Sequence, residues 1–190
     1  MELSVYLYLA LLVGVAALRI FELRLSKLHQ RQMAARGAAR VKDPYFRWMA
    51  AFHTLVLAGA ALEVVFLDRR LRLWLAIPMT ALFVAANLVR WWVIRTLGEH
   101  WNVQVVDSSK LGFVSSGPFR YVRHPNYAAV FLEMIALPLM HSAWITASLG
   151  ALAHTAVLYL RLSVEDPVLL ANPDYAARMG SKPRFLPGLF

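Results

Sequence analysis

Apolar residues run along this chain in five blocks, at 3–21, 46–67, 71–97, 126–140 and 143–160. A straight membrane crossing needs about 20 such residues. The first three blocks reach that length. The last two fall short, and only His141, Ser142 and Ala143 lie near their junction. They are expected to form a tight helical hairpin whose first helix draws its opening turn from the polar string before it. The pattern therefore predicts an all-α integral membrane fold of about five transmembrane helices. A single membrane domain spans 1–190, with N-terminal helices over 1–70 and a core over 71–190. Pro78 and Pro138 are expected to kink helices or mark their boundaries. Segment 22–44 reads either as an amphipathic surface helix or as a plain loop.

Composition sharpens this picture. Of 190 residues, 59% are hydrophobic, above the usual share for a soluble domain. The net charge of +9 raises the question of nucleic acid. Yet the basic residues sit between apolar blocks, as in cytoplasmic loops facing anionic lipid. Nucleic acid is therefore not an expected partner, and the lipid bilayer is. The first block has neither a basic leader nor a small-residue cleavage site, so no cleaved signal is read there. With no cysteine, disulfides, thiolate metal sites and a cysteine nucleophile are excluded.

Charge also orients the chain. Arg24, Lys27, Arg31, Arg36, Arg40 and Lys42 follow the first block. Arg95, Lys110, Arg120 and Arg123 follow the third, and Arg161, Arg178, Lys182 and Arg184 follow the fifth. The other side carries Arg69, Arg70 and Arg72. The richer side is expected in the cytoplasm, with the N-terminus outside and the C-terminus inside. Loop 98–126 and tail 161–190 then share the cytoplasmic face, and the hairpin between them brings them together. A water-soluble cofactor and a lipid-dissolved substrate could meet there.

The string FRYVRHPNY at 119–127 carries the chemistry. Pro125 suits the first position of a helix, where its missing N–H costs nothing, and it biases His124 toward an extended backbone. The helix start behind it has free N–H groups and partial positive charge, which favour a carboxylate or phosphate. Gly117-Pro118 marks a turn upstream. Interfacial anchoring is the plain alternative for Arg120, Arg123, Tyr121 and Tyr127. Downstream, RLSVEDPVLL places Arg161 and Glu165 four apart on one helix face. A simple surface pair is the alternative there, and Pro167 is expected to disturb the helix. Glu63, Asn87, Arg90, Glu133 and His154 fall inside apolar blocks, where polar groups are functional candidates. Glu63 and Arg90 lie near block ends, where snorkelling is an option. Glu133 is either a substrate contact or one half of an interhelical bond. No metal motif, G-x-G-x-x-G, Walker loop or G-x-S-x-G occurs.

SSGPFRYVRHPNYAAVF, followed by RLSVEDPVLL and KPRFLPGLF, resembles the isoprenylcysteine carboxyl methyltransferase family over about 75–190. The resemblance implies an S-adenosylmethionine-dependent methyltransferase acting on a lipophilic substrate, with its pocket made of loop and helix ends. Carried onto this chain, it implies cofactor contacts from Gln104, Leu111, Gly112, Phe113, Val114, Phe119, His124, Pro125, Asn126, Tyr127 and Glu165. Arg161 becomes the substrate-facing arginine, joined by Glu133, with Arg161 and Glu165 as the catalytic pair. Two departures stand out: Phe119 where relatives often have tyrosine, and Asp166-Pro167 in place of a second glutamate and a helix former. The short chain resembles bacterial members, which implies an inner-membrane location and O-methylation of a long-chain polyketide or prenylated acid, at a carboxylate, enol or phenol. Two other readings are an NADPH-dependent sterol-type reductase of related fold and a non-enzymatic membrane scaffold.

Overall fold

The computed structural model describes residues 2–186. The last four residues of KPRFLPGLF, which belong to the expected pocket tail, lie outside the described residues. Six α-helices carry the fold: α1 (Leu3–Ala35), α2 (Phe46–Phe66), α3 (Leu73–Leu97), α4 (Pro125–Leu139), α5 (Trp144–Leu170) and α6 (Pro173–Met179). A two-residue strand β1 (Ala39–Arg40) pairs antiparallel with β2 (Val106–Asp107).

Among the described residues, four helices are long and apolar enough to cross a membrane: α1, α2, α3 with the 3₁₀ turn that follows it, and α5. Their outward faces carry exposed Leu7, Val13, Leu55, Leu88 and Leu152, as expected of surface meeting lipid rather than water. The fifth block, expected to be short, is thus part of a 27-residue helix, and the fourth block forms the innermost element instead. Helix α4 has 15 residues, a rise of about 22 Å. It is sheathed by α3 and α5, and its Ala136, Leu137 and Glu133 are fully covered.

Helix α1 corrects the reading of 22–44. It continues unbroken to Ala35, about 50 Å in all, so it overshoots an apolar layer of about 30 Å. The overshoot packs on the loop after α3. Ser26 Oγ accepts from Val103 N at 2.9 Å, and His29 Nδ1 lies 2.8 Å from Trp101 O. The β1–β2 pair continues that attachment. Pro78 sits within the first two turns of α3 without ending it, and α4 stops one residue after Pro138. Helix α5 also runs through Pro167 to Leu170. The proline removes one backbone donor but does not end the helix, contrary to the expected disturbance.

Glu63 and Arg90 do not snorkel; both are buried. Glu63 reaches across to the start of α5 and accepts from Ile145 N, Thr146 N and Thr146 Oγ1 at 3.1, 2.7 and 2.8 Å. A carboxylate there satisfies free N–H groups and complements the helix dipole. Arg69 binds the same carboxylate at 2.9 Å, which neutralises one of the three positive charges at that end. Arg90 donates to Glu22 at 2.6 Å, Arg19 donates to Glu22 at 2.6 Å, and Arg19 also grips Glu133. This network ties α1, α3 and α4 together.

Contacts at each end define the bundle. Tyr8 OH donates to Leu137 O at 3.1 Å, and His141 Nε2 lies 3.3 Å from Ser4 Oγ. The α4–α5 turn therefore sits beside the start of α1. The start of α4 and the end of α5 sit at the opposite end, with the overshoot of α1.

Candidate functional site

Helix α4 begins at Pro125, as its ring geometry requires. Just before it, 3₁₀ turn 117–120 holds Gly117 at φ +57°, and a Cβ there would stand 2.5 Å from Thr96 Oγ1 on α3. Only glycine lets this turn approach α3 so closely. The turn aims the following residues at the tail. Arg123 N donates to Pro183 O at 2.9 Å and His124 N to Arg184 O at 2.8 Å. Lys182 Nζ donates to Phe119 O at 2.7 Å. Loop and tail are thus joined through backbone atoms.

The side chains of α4 and α5 meet above this junction. Tyr127 OH donates to Glu165 Oε2 and accepts from Arg161 Nε at 2.9 Å. Arg161 Nε also lies 3.6 Å from Glu165 Oε2. The guanidinium donates from Nη2 to Val103 O at 2.7 Å and from Nη1 to Asp43 in the α1–α2 connection. Among the described residues these bonds use three of its five N–H donors. His124 Nε2 lies 2.7 Å from Asp166 Oδ1, and its Nδ1 lies 3.8 Å from Glu165 Oε1. Arg184 donates to Asp166 Oδ2 at 3.0 Å, and Arg123 Nη1 stands 3.5 Å from Oδ1. Asp166, a departure from the expected glutamate, is therefore the residue that fixes His124 and the tail.

A cavity of about 650 Å³ opens onto this cluster and continues between α1, α2, α4 and α5. Gln104, Phe113, Val114, Phe119, His124, Pro125, Asn126, Tyr127 and Glu165 all line it, and so does Arg161. Asn126 Oδ1 is buried with no hydrogen-bond partner among the described residues. Gly112 lies instead in a shallow adjoining pocket, shared with Phe113, and Leu111 lines neither. Glu133 is off the cavity wall, with its carboxylate held by Arg19. Tyr175 from α6 borders both spaces, with its ring set edge-on to Phe113 at 5.4 Å. Burial pushes its hydroxyl up to about 12, so it stays a donor at neutral pH.

Sequence reasoning missed Asp43 and Val103. Asp43 lies in a basic connection far from the motif, and a backbone carbonyl such as that of Val103 leaves no side-chain signature. Away from this cluster the wall is mostly apolar, with Leu12, Leu57, Val130, Met134 and Leu158, interrupted by His53, His154 and the mutually paired Arg19, Glu22 and Arg90. One end of the space is thus ionic and hydrogen-bonding, and the other suits hydrocarbon.

Residues 79–171 match the model of the isoprenylcysteine carboxyl methyltransferase family. The chain is 25% identical to the uncharacterized protein YpbQ of Bacillus subtilis, over 80% of this chain and 89% of that one. It is 26% identical to an uncharacterized protein of Haemophilus influenzae, over 82% of this chain and 90% of that one. Its fold is similar to a solved eukaryotic intramembrane Ras methyltransferase, isoprenylcysteine carboxyl methyltransferase, with a TM-score of 0.59 at 20% identity. That match covers 79% of this chain and 56% of the solved one.

Proposed function

We propose that this membrane protein of the isoprenylcysteine carboxyl methyltransferase family methylates an oxygen of a lipophilic substrate, using S-adenosylmethionine. The observation that carries the reading is a single cavity, ionic at one end and apolar at the other, that gathers nine of the eleven expected cofactor residues and Arg161. The residues fit the cofactor. The orphaned Asn126 Oδ1 can accept from its ammonium or amine groups. Glu165 and the aromatic faces of Phe119 and Tyr127 suit its positive charges. The start of α4 suits its carboxylate.

The bound cofactor supplies an electrophilic methyl group. The chain's part is alignment, because in-line displacement depends on placing the nucleophile behind the methyl. Tyr127 sits between Arg161 and Glu165 and holds both. The two N–H groups that Arg161 keeps free can hold an anionic oxygen in a planar fork. A carboxylate or acidic enol is already ionised near neutral pH, so no dedicated base is required. The apolar depth receives the hydrocarbon part, a long polyketide or prenyl chain. Glu133 is left out of substrate contact, since it lies off the cavity wall and Arg19 engages its Oε1.

The placement is an inner membrane with the ionic end in the cytoplasm. Helix α4 runs between the same two ends as the four long helices, which supports five segments with the N-terminus outside. Single cysteines at Ser116 or Ser181 should label only from the cytoplasmic side; labelling from outside would overturn the orientation. A labelled-methyl transfer assay over lipophilic acids, phenols and pyrones tests the activity. If S-adenosylhomocysteine neither binds nor raises the melting temperature, the cofactor reading fails. NADPH binding would favour the reductase, and binding of neither a scaffold.

A further inference from the structure

His53 on α2 and His154 on α5 face each other inside the apolar part of the cavity, with ring centroids 5.5 Å apart. His154 is 3% exposed. Its Nδ1 and Nε2, and Nε2 of His53, are buried without a hydrogen-bond partner among the described residues. The rings are held by Phe52, stacked on His154 at 5.9 Å, and by Phe131 at 5.8 Å. Three orphaned ring nitrogens are costly, because buried polar groups lose water and gain nothing. Both residues also line a cavity large enough for a ligand.

We infer that His53 and His154 clasp a second, neutral oxygen of the substrate, a hydroxyl or keto group on its hydrocarbon part. The inference rests on the methyltransferase reading for the position of the first oxygen. A neutral imidazole offers one donor and one acceptor, so a facing pair complements a hydroxyl in both roles and a carbonyl in one. An ion is the wrong guest here: the wall includes Val130, Met134, Val157 and Leu158, the Arg19 and Arg90 charges that share the cavity are already paired with Glu22 and Glu133, and an unpaired charge would be heavily penalised. The nearby acids are already committed, Glu22 to Arg19 and Arg90, and Glu133 to Arg19.

The spacing defines the guest. His154 and Arg161 are seven residues apart on α5, so they share a face with an axial separation of about 10 Å. The substrate then carries one oxygen at the Arg161 end and another roughly two helical turns up its chain. A plain fatty or prenyl chain would fill the cavity yet leave the histidines unsatisfied.

The test compares octadecanoic acid with its mid-chain hydroxy and oxo derivatives, each titrated into the full-length protein with and without S-adenosylhomocysteine. The oxygenated acids should bind the parent about tenfold more tightly, the worth of one or two buried hydrogen bonds. His154→Phe and His53→Phe should each abolish that advantage while keeping affinity for octadecanoic acid and for S-adenosylhomocysteine. Phenylalanine keeps the stacking, so the ligand-free variants should melt no lower than the parent. Histidine ring ¹⁵N resonances should shift with the oxygenated acids alone. No advantage in the parent, an advantage that survives in both variants, or failure of all three acids to bind would each overturn the clasp. Failure of S-adenosylhomocysteine to bind counts against the methyltransferase reading, and the advantage measured without it still decides the histidines.

Discussion

Two buried ionic clusters bridge the helices of this protein, and they differ in what they leave unspent. Arg19, Glu22, Arg90 and Glu133 close on one another inside the bundle, two cations against two carboxylates. Arg161, Tyr127, Glu165 and His124 sit at the end of the bundle, beside an orphaned Asn126 oxygen and with N–H donors to spare. Both are tied across three or more elements. The first also borders the cavity, but its one unpartnered atom, Glu133 Oε2, belongs to a residue off the wall, whereas the second sets its spare donors and the Asn126 oxygen among the expected cofactor residues. Buried charge alone therefore does not identify a site here; unmet capacity beside a cavity does.

The sharpest way to break that contrast is Glu133→Ala. It leaves Arg19 and Arg90 with Glu22 as their one carboxylate, and breaking a buried pair costs about 3–5 kcal/mol. The variant should melt far below the parent, with methyl transfer per folded molecule preserved. Loss of transfer in a well-folded variant would return Glu133 to the substrate site. Arg161→Ala should act the other way round. Turnover should fall about tenfold to a hundredfold, matching about 1.5–3 kcal/mol for a charge-assisted contact, while S-adenosylhomocysteine affinity holds. The change also strands buried Asp43, so Asp43→Asn combined with Arg161→Ala should recover stability without turnover. Lysine at 161 should rescue poorly, since it lacks the planar fork.

Smaller effects sharpen the picture of how the second cluster is built. Gly117→Ala meets Thr96 and a positive φ, so a loss of about 1–3 kcal/mol is expected. Thr96→Ala should restore part of it, because the clash is relieved and the backbone strain is not. Melting curves of the single and double variants check this. Glu165→Gln should weaken S-adenosylhomocysteine binding about tenfold by calorimetry, one charge-assisted bond reduced to a neutral one. Unchanged affinity would detach Glu165 from the cofactor.

Much of this was readable from the chain. Apolar blocks located every long helix, because membrane crossing sets a minimum length of greasy sequence. The proline at 125 set the start of α4, and FRYVRHPNY with R-x-x-x-E pointed to the residues that meet there, since i and i+4 share a helix face whatever surrounds them. Local rules failed where partners are remote. Pro167 does not end α5, as the turns just before it are held by contacts made from Arg161, Glu165 and Asp166. Glu63 and Arg90, read as free to reach the interface, are committed to the start of α5 and to Glu22.

Periodicity and composition settled the membrane class and the helices, because these depend on neighbours within a few residues. Packing settled the rest: that 22–35 prolongs α1, that Asp43 faces Arg161 across 118 positions, and that His53 and His154 stand opposite each other in one cavity. Those pairings follow from how helices cross, and a one-dimensional pattern carries no record of which distant side chain will fill a given space.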